Sequence, residues 1–143
     1  MSKLETLRSL QERIREATGP DRELDAAIFR ALDLQLPEQF LNLGIALKWQ
    51  ADGSALMPVG GMQVRYEPPA FTASLDACVA LMRDVLPGWR RDSFQRVDHF
   101  SVFVSNPDQD QEHAYHSLET HATLIAIVSA LIAIEEAKEK ADV

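Results

Sequence analysis

Ala122 to Ile134 is a run of thirteen residues interrupted only by Thr123 and Ser129. Water will not tolerate so apolar a helix, so the rest of the chain must fold around it or against it. The run falls short of the roughly 20 apolar residues that a bilayer span needs. Its flanks, Glu119 on one side and Glu135-Glu136 on the other, argue the same way. Two placements remain: a central helix buried on most sides, or a helix whose Leu124, Ile127, Leu131 and Ile134 bury partly against a second subunit. The helix is expected over residues 117–140.

The 143-residue chain has room for one domain. Leu4, Leu7, Leu10 and Ile14 recur at steps of three and four, the stripe of an amphipathic helix. Thr18-Gly19 ends it with glycine as a left-handed cap, and Pro20 suits the first turn of a second helix. Leu24, Ala27, Ile28, Ala31 and Leu32 give that helix its apolar face, so residues 1–33 read as a helical hairpin. Residues 40–66 read as two or three antiparallel strands. They comprise Leu43 to Trp49, Ala55 to Val59 and Met62 to Tyr66, turned at Asp52-Gly53 and Gly60-Gly61. Thr72 or Ser74 caps a third helix over 74–84. Residues 89–104 read as a hairpin, and Asn106 to Glu112 as a polar, acidic loop. The element order gives an α+β domain. Four helices cannot share one face of so small an antiparallel sheet, so an α-β-α sandwich with helices on both faces is expected.

Two segments then stand out: Ala17-Thr18-Gly19-Pro20-Asp21-Arg22-Glu23-Leu24-Asp25-Ala26-Ala27-Ile28, and Pro69-Ala70-Phe71-Thr72-Ala73-Ser74-Leu75-Asp76-Ala77, the latter followed by Leu86-Pro87-Gly88-Trp89. In this order and spacing they resemble the phage ABA sandwich domain family, small proteins encoded by tailed phages and prophages. The resemblance implies an α-β-α sandwich and a phage or prophage origin, but no activity. Phe71 stands where tyrosine is common. The histidine-bearing stretch 106–117 and the long apolar last helix are particular to this sequence.

The chemistry-bearing side chains are few. The single cysteine, Cys78, excludes an internal disulfide framework and reads as a buried structural thiol. Serine elbows, phosphate loops and a His-Glu-x-x-His zinc motif are absent. His113, His116 and His121 lie within nine residues, interleaved with Glu112 and Glu119. They read either as water-facing residues at the start of a helix or as ligands of a divalent metal in a hydrolase. A calcium loop over Asp108, Asp110, Glu112 and Glu119 fails because His113 occupies the glycine position. Arg90, Arg91 and Arg96 beside Trp89 and Phe94 suggest a binder of a small anionic, nucleotide-like ligand or of a partner surface. The alternative is that the arginines pair with Asp92 and Asp98.

Fourteen basic against 22 acidic side chains give a net charge of −8, which speaks against duplex nucleic acid and anionic membrane as partners. The charge is uneven: −6 of it lies in the last 37 residues. Met1 to Glu16 is charged throughout, with no signal-peptide core, so a cytoplasmic place in a bacterial host is expected. The leading expectation is a non-enzymatic protein-interaction module without a cofactor, docking on a protein partner or on itself as a homodimer.

Overall fold

The computed structural model describes residues 2–36, 47–59 and 61–142. Helix α1 (Lys3–Glu16) opens on a reciprocal cap: Ser2 Oγ accepts the Glu5 N–H, and the Glu5 carboxylate accepts the Ser2 N–H. It buries Leu4, Leu7, Leu10 and Ile14, the stripe expected from their spacing. Its end differs from expectation. Ala17 turns extended and Gly19 is not left-handed. Pro20 biases the residue before it toward extended backbone, and the Ala17 carbonyl accepts from His116 Nε2 at 3.0 Å. Pro20 also lies outside the second helix, α2 (Arg22–Ala31). Asp21 is the N-cap there, its carboxylate accepting the Leu24 N–H.

Strands β1 (Lys48–Trp49), β2 (Ala55–Val59) and β3 (Met62–Tyr66) form an antiparallel sheet in that order. The strand expected from Leu43 is present at Lys48–Trp49; residues 37–46, and Gly60 of the second turn, lie outside the described residues. Gly53 adopts φ +86°, and a β-carbon there would collide with the Arg22 backbone carbonyl. The first hairpin is thereby seated on the start of α2. Ser74, not Thr72, caps α3 (Leu75–Val85) by accepting the Ala77 N–H.

The second sheet holds β4 (Arg90–Gln95), β5 (Phe100–Ser105) and β6 (Gln111–His116), antiparallel in that order. The first two are the expected hairpin, and the third is new. The loop expected to run through Glu112 closes earlier. The Asn106 N–H reaches the Asp110 carbonyl at 3.1 Å, and the Asp110 N–H reaches the Asn106 side chain at 2.9 Å. The chain therefore returns as a strand where a helix start was expected. Helix α4 (Glu119–Ala141) follows.

The fold is α+β, with four helices and two small antiparallel sheets among the described residues. The apolar α4 lies in the middle, with β5 and β6 on one side, α1 on the other and α3 alongside. By length and composition α4 could cross a membrane, but residues 121–128 are all buried within the chain. Leu124 and Ile127 are 1% and 0% exposed, so the expectation that they meet a second subunit is corrected: their contacts are internal. Leu131 and Ile134 stay half-buried at a small cleft with Leu7 and Val85. The acidic end of α4 is partly balanced by α1, where Arg8 pairs with Glu136 at 3.0 Å and Lys3 with Glu135 at 3.9 Å.

One polar junction ties these layers. Asp25 of α2 is fully buried, and its Oδ1 accepts both the Thr72 N–H and the Thr72 hydroxyl at 2.8 Å. Its Oδ2 pairs with Arg22 at 2.8 Å, and Arg22 also reaches the Pro68 carbonyl. The Thr72 carbonyl accepts the Thr120 hydroxyl at the start of α4. The two sequence segments singled out above thus meet across 47 residues. Asp25→Ala should cost about 3 kcal/mol, low in the range for a broken buried ion pair because Arg22 is 40% exposed. Thr72→Val should cost about 1–3 kcal/mol by leaving the carboxylate short of a donor. Urea unfolding measures both, and a loss below about 1 kcal/mol for Asp25→Ala would contradict the role assigned to it.

Candidate functional site

Strand alternation gives the second sheet two unlike faces. The inner face carries Val102, Val104 and Ala114, all buried on α4. The outer face forms three cross-strand rows: Arg90–Ser105–Gln111, Asp92–Phe103–His113 and Phe94–Ser101–Tyr115. Past the last row, the turn adds Arg96, Val97, Asp98 and His99. The aromatic rings form one connected group. Phe103 and His113 stack at 3.9 Å with planes 5° apart, Phe94 meets Phe103 edge-on at 5.9 Å, and Tyr115 contacts both His113 and His99. Arg96 lies over the Phe94 ring. Phe94 is 49% exposed, Tyr115 59% and Val97 fully exposed. Among the described residues no helix packs on this face.

The arginine cluster expected from sequence is not brought together. Arg90 points outward beside Asp92, at 3.5 Å. Arg91 points inward, where it pairs with Glu119 and donates to the Thr123 hydroxyl at the start of α4. Neighbouring strand residues face opposite ways, so adjacency in sequence separates these two side chains in space. Trp89 packs on the core. Only Arg90 and Arg96 share the outer side.

The three histidines are likewise divided. His113 lies on the outer face; His116 and His121 lie inside, stacked on each other at 4.8 Å. Both His116 nitrogens are engaged: Nε2–H donates to the Ala17 carbonyl, and Nδ1 accepts the Leu118 N–H. His121 is fully buried. Thr120 gives its hydroxyl proton to the Thr72 carbonyl, so its oxygen accepts from His121 Nδ1–H, leaving Nε2 without a hydrogen bond. Among the described residues no group of three His, Cys, Asp or Glu side chains is placed to hold a metal. The reading of these histidines as a water-facing helix start is corrected too, since His113 and His116 are strand residues.

Titration behaviour follows from this placement. Burial pushes His121 below the ordinary histidine range, and the neighbouring His116 adds to the effect; the Gly19 backbone and Asp25 oppose it. The positive N-terminal end of α4 also disfavours a cation there. Burial, Arg96 and His99 lower His113, while burial raises Glu112. Cys78 is buried, and desolvation holds its thiol up at about 12, so it is not a nucleophile at neutral pH.

A cavity of about 660 Å³ opens between α2, β3 and α3, lined by Phe29, Tyr66, Phe71 and Leu81. Asp33 and Asp84 line it as well, which suits a cation better than an anion. Of this open aromatic face, the sequence shows Phe94 beside arginine; His113 and Tyr115 were missed, and their only signal was the period-two placement around Ala114. No family model matches the chain, and no curated protein or solved structure does either.

The depressed His121 makes a pH prediction. Above the ordinary histidine pKa neither folded nor unfolded chain binds the proton. As pH falls below that value, the unfolded chain takes up a proton that the folded site refuses, so stability drops. The loss continues until the lower, folded-state pKa is passed. Glu112 works in the opposite direction, so the comparison is between wild type and His121→Leu. The wild-type unfolding midpoint should fall more steeply between neutral pH and about pH 5.5. Parallel slopes would contradict the account.

Proposed function

We propose that the chain is a phage- or prophage-derived accessory protein that acts by docking on another protein through the outer face of β4–β6. The observation carrying this reading is the exposed aromatic group on a sheet face that no helix covers among the described residues. Exposed aromatics beside arginine are the residue types that dominate protein interfaces. The inner polar groups support the reading from the other side. Asp25, Thr72, Arg91 and His116 are all committed to partners within the chain, and the thiol is buried. The resemblance of residues 17–28 and 69–77 to the phage ABA sandwich family supplies the origin, and with it a place in the bacterial cytoplasm.

A second reading, a small anionic ligand, is favoured by one feature. Arg90 lines a polar depression of about 550 Å³ with Asn106 and Gln111 at the end of the same face. Stabilisation by nucleotides that vanishes in Arg90→Ala would support that reading.

The docking reading is tested with immobilised full-length protein in bacterial lysate. Three chains are compared: wild type, Tyr115→Asp, and Met62→Asp, the last altering an exposed residue of the other sheet. Proteins held by wild type and Met62→Asp but lost from Tyr115→Asp are the expected result. Equal retention by all three would overturn it.

A further inference from the structure

We infer that a second copy of this chain covers the outer face of β4–β6, the two sheets packing face to face about a two-fold axis parallel to β5. The inference rests on the docking reading and adds the identity of the partner. The argument is one of charge and shape. On a chain of net charge −8, this face carries both signs in near balance: Arg90 and Arg96 against Asp92 and Asp98. A face selected for a strongly charged partner would carry one sign; a charged face that packs on its own copy needs both, because a single sign would repel itself.

The register selects the axis. A two-fold axis along β5 lays β4 of one copy over β6 of the other and keeps the rows aligned. Arg90 then faces Gln111, Asp92 faces His113, and Phe94 faces Tyr115, each from opposite copies. On the axis itself lie Ser105, Phe103 and Ser101, one ring between two small residues. Every row is matched and no like charges oppose. The alternative axis, running across the strands through the middle row, sets Asp92 against Asp92 and His113 against His113, which is unfavourable. Aligned sheets pack face to face in this way at about 10 Å.

The face measures only about 20 Å along the strands by about 15 Å across them. That is below a standard interface, so a micromolar dimer is expected rather than an obligate one.

The test uses the full chain and measures mass by analytical ultracentrifugation over a concentration series. Wild type should pass from monomer to dimer in the micromolar range. Phe94→Lys/Tyr115→Lys should weaken dimerisation at least tenfold. Phe94→Lys/Tyr115→Glu should restore it, because the inferred axis sets each new lysine against the other copy's glutamate. Both positions are exposed, and the circular dichroism spectrum should be unchanged. Val97→Asp, in the fully exposed turn, is a second disrupting variant that leaves the strands intact.

Wild type that stays monomeric at about 0.5 mM overturns the second copy. So does a dimer indifferent to all these changes. A Lys/Glu variant that behaves like the Lys/Lys variant overturns the axis. Failure here is separable from failure of the docking reading. A monomeric wild type whose lysate partner is lost in Tyr115→Asp leaves that reading standing with a different occupant.

Discussion

The arrangement of this molecule depends on one buried carboxylate. Asp25 sits in the first turn of α2 and holds the backbone and side chain of Thr72 just ahead of α3. Thr72 in turn holds the first turn of α4 through Thr120. Three helices are thereby registered at one point, against which the inner face of the second sheet closes. A buried charge is tolerated there because both oxygens have donors and Arg22 supplies the countercharge.

The same junction joins residues 17–28 to residues 69–77. Asp21 caps α2 and its N–H reaches the Thr72 hydroxyl; Asp25 takes the other side of the same threonine. The Ala17 carbonyl, next in the segment, is held by His116. These residues are matched to one another because they meet, and their chemistry is that of a structural joint. The outer face of the sheet is untouched by that constraint and free to serve a partner.

The helices were legible in the sequence because α1, α2 and α3 each carry an apolar stripe and α4 is a nearly continuous apolar run. The α+β class followed from their order. The third strand of the second sheet was not legible. Gln111 to His116 is an edge strand whose inner face offers only Ala114 as a fully buried residue, with Glu112 and His116 beside it. Alternation is then written in polar residues, and the histidines read as a helix start. The arginine cluster misled for a related reason. Sequence proximity counts Arg90 and Arg91 together, whereas a strand sends them to opposite faces. The apolar run of α4 left two placements open, and Leu124 and Ile127 went to the interior because the sheet and α1 close on both sides of them.

The central claim is that the aromatic face of β4–β6 is the working surface and is covered when the protein associates. Hydroxyl-radical footprinting of the full chain over a concentration series tests it directly, with Met62 on the other sheet as internal reference. The account predicts that oxidation of Phe94 and Tyr115 falls as concentration rises while that of Met62 does not. Oxidation of Phe94 and Tyr115 that, relative to Met62, stays unchanged over the whole concentration series would contradict it.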